Sequence, residues 1–64
     1  MDVPKLLTVN EVAELIRTPE STLRYWRHIG RGPKSGKVGG RVMYREQDII
    51  DWINQAFEDG ESNG

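Results

Sequence analysis

The basic residues of this chain are concentrated in one stretch whose chemistry suits a polyanion. Eight of the nine lysines and arginines lie between residues 17 and 45, with Glu20 as the single acid, so this basic stretch has a formal charge of +7. The rest of the chain holds one base and nine acids, a formal charge of −8. Aromatic and hydroxyl side chains are interleaved with the bases, a pattern that favours a nucleic-acid-binding surface over a merely solvated charged face.

Groups that could support catalysis or bind a metal are few. His28 is the single histidine, cysteine is absent, and three serines are present. A metal site on His28 would need several carboxylates nearby, whereas its neighbours in sequence are basic. Without cysteine there are no disulfides and no thiolate ligands. No pattern places a nucleophile beside a base, so we expect no enzymatic activity, no cofactor and no metal.

Length and hydropathy predict the class of protein. Sixty-four residues predict one domain, which buries only about 60% of the surface its unfolded chain exposes and is therefore marginally stable. No apolar run approaches the roughly 20 residues of a membrane helix, and no basic-then-apolar signal segment opens the chain. We expect a soluble cytoplasmic protein without membrane contact.

The first predicted elements are an extended lead-in and a short helix. Residues 1–7 form the lead-in, with two leucines available to dock on the core. Thr8 and Glu11 form a capping box, in which each side chain bonds the other's backbone amide. A helix over about residues 9–16 follows, because apolar residues recur there at i, i+3, i+4 and i+7.

A second helix is predicted directly after the first. Thr18 is expected to cap it, Pro19 suits its first position, and Gly30 ends it after Ile29. Its apolar stripe is narrow and leaves a basic, hydroxyl-rich face outside the core. Two short helices joined by a tight turn are typical of a helix-turn-helix unit.

A β-hairpin is predicted next. Gly39-Gly40 supplies the two positive φ angles of a two-residue turn, which would pair Val38 with Arg41 and Lys37 with Val42. Side chains alternate along a strand, and we assign Val42 and Tyr44 to the core. Three side chains then point outward: Val38, Arg41 and Met43.

The last predicted element is a helix over about residues 46–57. Acids in its first turn suit the positive end of the helix dipole. Residues 58–64 are polar and are predicted to form a flexible tail. The core domain is accordingly expected to span residues 8–57.

The order of these elements resembles a known family. The segments that carry the resemblance are Thr8–Ala13, Leu23-Arg24-Tyr25-Trp26, Gly40–Arg45 and Asp48–Ile53. Together they look like the excisionase-like winged helix-turn-helix proteins, relatives of the MerR-type DNA-binding domain, over residues 6–57. The resemblance implies a mainly α fold with a small β-hairpin wing.

The same resemblance implies a function. Phage excisionases, also called recombination directionality factors, bind direct repeats beside an attachment site, bend the DNA and direct integrase toward excision. The expected partners are thus double-stranded DNA, an integrase or recombinase, and neighbouring copies on DNA, within the cytoplasm and nucleoid of a bacterial host. Two alternatives stay open: a small MerR-like transcriptional regulator, and a module whose basic face docks on an acidic protein. The chain ends without the long dimerisation helix of MerR-type regulators, which favours the excisionase interpretation.

The residues expected to contact DNA lie on the second helix and the hairpin. The resemblance assigns Ser21, Thr22, Arg24 and Tyr25 on the recognition helix and Arg41 on the wing. Arg24 suits guanine or a phosphate, and an arginine at the tip suits a narrow minor groove. The remaining expected contacts are Arg27, His28 and Lys37.

Several of these side chains have structural alternatives. A phosphate contact and an ion pair with Glu14 are equally open to Arg27. The hydroxyls of Ser21 and Thr22 can instead bond the end of their own helix. Trp26 and Trp52 lie on apolar stripes, so we predict core packing for both rather than base stacking.

Overall fold

Three helices pack against a three-stranded antiparallel sheet. The computed structural model describes residues 2–63, with side chains described for residues 2–59. In chain order the elements are β1 (Leu6–Thr8), α1 (Val9–Leu15), α2 (Glu20–His28), β2 (Gly36–Val38), β3 (Arg41–Arg45) and α3 (Glu46–Asn63). The sheet order is β1-β3-β2. This architecture confirms the predicted winged helix-turn-helix fold, mainly helical with a small β wing.

The core takes one buried side chain from each element except β2. These side chains are Leu7, Val12, Leu23, Tyr44 and Ile49. Partly buried apolar residues pack around them, among them Trp26 of α2 and Val42 of β3. The predicted core positions of Val42 and Tyr44 are therefore confirmed. Leu23 fixes the roll of α2, so the opposite face of that helix points away from the protein.

The start of α1 is the predicted capping box. The Thr8 hydroxyl accepts from the Glu11 amide at 3.3 Å, and the Thr8 amide donates to the Glu11 carboxylate at 2.8 Å. The hydrogen bond from the Thr8 backbone is the main reason that the pKa of the Glu11 carboxyl lies below its usual value. This local network places the first turn of α1 directly after β1.

The turn between α1 and α2 holds a non-glycine residue in the left-handed region. Arg17 has a φ of 53°, and the amide of Thr18 donates to the carbonyl of Ala13 at 2.9 Å. These features define a Schellman motif at the end of α1, in which the residue with positive φ is usually glycine. A residue with a side chain is strained at positive φ, so the turn is less stable with Arg17 than it would be with glycine at this position.

Arg17→Gly is therefore expected to stabilise the fold by about 0.5–1 kcal/mol, the relief of strain exceeding the added entropy of the unfolded chain. The measurement is the urea midpoint of unfolding followed by circular dichroism. Arg31→Gly is the matched control, because Arg31 is an exposed arginine whose φ is not positive. Equal midpoints for the two variants would show that Arg17 is not strained.

The start of α2 differs from the prediction. The hydroxyl of Thr18 does not cap the helix but donates to the carbonyl of Ile16 at 3.1 Å, which completes the end of α1. Pro19 is the N-cap residue, without a side-chain cap, and the helix begins at Glu20. The predicted end is confirmed: Gly30 has a φ of 72°, and the amide of Arg31 donates to the carbonyl of Trp26 at 2.7 Å.

The hairpin forms as predicted. Gly39 and Gly40 have φ angles of 60° and 82°, and Val38 pairs with Arg41. Part of the lead-in adds a third strand that the sequence did not reveal, with Leu7 opposite Tyr44. Because β1 lies on the other side of β3 from β2, the strand that carries the wing is held on both sides.

The third helix is longer than predicted. Its first amide, that of Glu46, donates to the carbonyl of Lys5 at 2.8 Å, and the Arg45 side chain donates to Asp48 at 2.7 Å. The helix continues to Asn63, so residues 58–63 of the predicted flexible tail are helical, and Gly64 lies outside the described residues. Extension of an existing helix costs far less than nucleation, which explains the extra turns.

Candidate nucleic-acid interface

The exposed face of α2 carries four of the predicted contact residues on one stripe. Ser21, Arg24, Tyr25 and His28 follow the i, i+3, i+4, i+7 spacing and are all exposed. Tyr25 is 60% exposed, whereas Leu23 on the opposite face is 1% exposed. An α-helix fits the major groove of B-DNA, so this stripe presents hydrogen-bonding and aromatic groups in a form that can reach base edges.

Two further predicted residues of α2 lie beside this stripe rather than on it. Thr22 is half-buried at the flank of the core face. Arg27 is exposed, and its Nε donates to the Ser35 hydroxyl at 3.1 Å, which ties α2 to the loop before β2. The alternative ion pair between Arg27 and Glu14 is wrong, because the side chain turns toward that loop. Thr22 and Arg27 therefore lie at the edges of the candidate interface.

Arg24 is held by an acid that the sequence reasoning missed. Its Nη2 lies 3.1 Å from Glu20 Oε1, one helical turn earlier; the Arg24 side chain is exposed and that of Glu20 is partly exposed. Such an exposed pair contributes little stability. Its effect is positional, because it orients the guanidinium along the outer face of α2. The i, i+4 spacing of Glu20 and Arg24 was the signal that could have revealed the pair.

The wing brings a second arginine close to the recognition helix. Lys37 and Arg41 are both exposed next to the Gly39-Gly40 tip. Arg41 and Arg24 line one open cleft of about 360 Å³, together with Asn10 from α1. Sequence reasoning gave no role to Asn10, whose position near the two arginines depends on the packing of α1 beside β3. Helix α2 and the wing thus converge on a common basic surface.

The field of the α2 arginines reaches the core. Burial raises the pKa of the Tyr44 hydroxyl, while the positive charges of Arg27 and Arg24 oppose that rise. Both arginines belong to α2, so this helix carries a concentrated positive charge. Concentrated positive charge of this kind raises the local affinity for a polyanion.

Trp26 and Trp52 pack against each other between α2 and α3. Trp26 packs against the core, and its ring centroid lies 5.8 Å from that of Trp52 on α3, with the planes inclined at 46°. Gly32 lies against the same ring, where a Cβ would come 2.8 Å from Trp26 Cε3. The predicted packing role is confirmed for Trp26, which holds α2 against α3 and the following loop.

Other kinds of site are not found in the part of the chain that the structure describes. Among residues 2–59 no group of three or more histidine and acidic side chains could hold a metal ion. Within the described helices none is long and apolar enough to cross a membrane.

Comparison with known proteins gives a match at the level of a family. A family model described as a helix-turn-helix domain matches residues 6–56, which is most of the chain, and this family covers excisionase-like DNA-binding proteins. No curated protein and no solved structure gives a significant match. The matched span contains α1, the turn, α2 and the wing.

Proposed function

The chain belongs to the helix-turn-helix domain family, and we propose on that premise that it inserts α2 into the major groove of duplex DNA and its wing into an adjacent minor groove. One observation carries the proposal: Arg24 of α2 and Arg41 of the wing line the same cleft. Two arginines on separate elements can then reach two grooves of one duplex. Binding, and not catalysis, is the proposed activity.

Each predicted contact has a distinct role in this arrangement. Arg24 donates to a guanine edge, and its exposed neighbours Ser21, Tyr25 and His28 supply further groove and backbone contacts. Thr22 and Arg27, at the edges of the stripe, contact phosphates. Arg41 enters the minor groove, and Lys37 contacts the phosphates beside it.

At a finer level we propose an excisionase-like role. The protein binds repeated sites beside an attachment site, bends the intervening DNA and directs an integrase toward excision. Support comes from the resemblance of the chain to this group and from a family that covers such proteins. Neighbouring copies associate only when DNA raises their effective concentration to about the millimolar range.

Arg24→Ala is expected to weaken binding to the specific site by about 1–3 kcal/mol and to weaken binding to random duplex much less. The site is first selected from a pool of randomised duplexes, and affinities for selected and random DNA are then measured by fluorescence anisotropy. The loss is base-specific because the removed group reads a base edge rather than only a phosphate.

Lys5→Ala is the matched control for Arg24→Ala. It removes one positive charge from an exposed side chain that pairs with Glu46, outside the basic stretch. It is expected to leave both affinities unchanged. If Arg24→Ala reduced the affinity for selected and random DNA equally, Arg24 would be a phosphate contact and its assignment as a base contact would be wrong.

The architectural role has a separate test. Fluorescence energy transfer across a duplex with two tandem selected sites reports bending as protein is added, and gel shifts report whether the sites fill together. An excisionase-like protein bends the duplex and fills the sites cooperatively. A straight duplex with independent filling would favour a simple regulator, and no duplex binding at moderate salt would favour a protein-interaction module.

A further inference from the structure

One acid lies in the basic cleft between α2 and the wing. Glu20 lines this cleft together with Arg24 and Arg41. The lining thus holds two arginines and one glutamate, and Glu20 reduces its formal charge from +2 to +1. Glu20 is also the single acid among residues 17–45, which hold eight bases. A carboxylate here weakens the attraction for any phosphate, so a surface that only attracted a polyanion would bind better without it.

Glu20 lies at the end of α2 that can reach bases. It is the first residue of the helix, directly after the N-cap residue Pro19, and its side chain is partly exposed. In helix-turn-helix proteins the N-terminal residues of the second helix contact the base edges in the major groove. An acid at this end also interacts favourably with the helix dipole. The position of Glu20 therefore suits both a base contact and a structural role.

The ion pair with Arg24 leaves both side chains able to bind a base. Glu20 Oε1 lies 3.1 Å from Arg24 Nη2. Glu20 Oε2 and the Nε and Nη1 of Arg24 have no hydrogen-bond partner in the part of the chain that the structure describes. The separation of the paired atoms is close to the spacing of about 3.4 Å between successive nucleotides of one strand. Two side chains held this close together can contact neighbouring bases.

We propose that Glu20 is a specificity-determining residue, whose carboxylate accepts a hydrogen bond from a cytosine next to the guanine that Arg24 contacts. A carboxylate only accepts hydrogen bonds, and the N4 amino group of cytosine donates one in the major groove. Adenine is a poorer partner, because its N6 donor adjoins the N7 acceptor, which a carboxylate repels. This inference rests on the proposed function, since it requires α2 to lie in the major groove.

The same carboxylate weakens binding to other sequences. Where the cytosine is absent, Glu20 finds no donor on the base, and its charge still repels the phosphates. Specificity is a difference between two affinities, so a group that weakens the wrong complex raises specificity as much as one that strengthens the right complex. Glu20 contributes to the difference in both ways.

Replacement of Glu20 by glutamine tests the proposal through the base that is selected. Sites are selected from randomised duplexes with the parent chain, Glu20→Gln and Glu20→Ala, and the guanine is identified as the preference that Arg24→Ala abolishes. Beside it the parent is expected to select cytosine. Glu20→Gln is expected to select adenine, because a glutamine amide bonds both N6 and N7, and Glu20→Ala is expected to select no base. An identical preference in all three proteins would overturn the proposal.

The affinity for random duplex is the second measurement. Glu20→Gln is expected to bind random duplex about fivefold more tightly, which corresponds to the removal of one repulsive charge contact in water. Glu58→Gln is the charge-matched control, because Glu58 is an exposed acid that does not line the cleft. It is expected to leave the affinity and the selected bases unchanged. Equal gains from the two substitutions would show that only net charge matters and would overturn the proposal.

The same measurements distinguish a structural role of Glu20 from a base contact. If Glu20 only stabilised α2, Glu20→Gln would lower the urea midpoint and weaken binding to selected and random duplex alike, without a change of selected base. That result would overturn the proposal. If the parent chain bound no duplex, the proposed function itself would be wrong. If the parent bound its selected duplex and Glu20→Gln kept the same base preference, this inference alone would fail.

Discussion

Binding to duplex DNA is expected to weaken about a thousandfold when the salt concentration rises from about 50 to about 200 mM. Each base that contacts a phosphate displaces a condensed counterion, so the affinity falls as a power of the salt concentration. The basic stretch provides eight such residues, and only Glu20 opposes them within it. An interface of this kind depends on electrostatic attraction more than on apolar burial.

The structure refines the size of this effect. Two of the eight bases are engaged in ion pairs, Arg24 with Glu20 and Arg45 with Asp48. The other six are exposed in the described structure. With about five to six phosphate contacts, the logarithm of the binding constant should fall with the logarithm of salt with a slope of roughly −5. A slope shallower than about −2 in anisotropy titrations would contradict the assignment of the basic stretch.

A double substitution in the wing checks which bases contribute. Replacing Lys37 and Arg41 by alanine is expected to make the slope less steep by about two, because the interface then loses two positive charges that displace counterions from the duplex. Lys5→Ala removes a base outside the basic stretch and is expected to leave the slope unchanged. Equal slopes for the wing variant and the parent would place the wing away from the duplex.

The features that sequence reasoning predicted well are local. The capping box of Thr8 and Glu11 depends on residues three apart, and the hairpin register depends on the turn chemistry of Gly39 and Gly40. Helical periodicity also placed Leu23 in the core and left Tyr25 exposed. The partners of such an interaction lie within a few residues of each other, so their types and spacing in the sequence are enough to predict it.

Several of the features that it missed depend on contacts between distant segments, whereas the Glu20–Arg24 pair was missed although it is local. Strand β1 forms because Leu7 meets Tyr44, and Glu46 at the start of α3 bonds the Lys5 carbonyl. No local pattern in residues 1–7 reveals a partner almost forty positions away. The same limit applies to the site: periodicity predicts the stripe on α2, but the shared cleft of Arg24 and Arg41 requires the packed fold.

Leu23→Ala is expected to destabilise the fold by about 2–5 kcal/mol. Leu23 is the buried residue of α2, only 1% exposed, and its side chain packs in the core. The substitution therefore removes apolar packing and leaves a cavity. A single apolar core stabilises a domain of this length by only about 3–5 kcal/mol. The expected destabilisation by Leu23→Ala is therefore comparable to the total stability of the fold. A large fraction of the variant is therefore expected to be unfolded at 25 °C without denaturant. Urea titrations followed by circular dichroism measure the effect.

Tyr25→Ala provides the matched contrast on the same helix. Tyr25 is 60% exposed and lies on the proposed DNA face, so its loss is expected to change the urea midpoint little while weakening DNA binding. Leu23→Ala also loses DNA binding, but only because the helix that carries Arg24 is no longer held in place. Stabilising osmolyte is expected to restore binding to Leu23→Ala and not to Tyr25→Ala. If osmolyte restored DNA binding to Tyr25→Ala and not to Leu23→Ala, the assignment of a buried face and a DNA-binding face to α2 would be wrong.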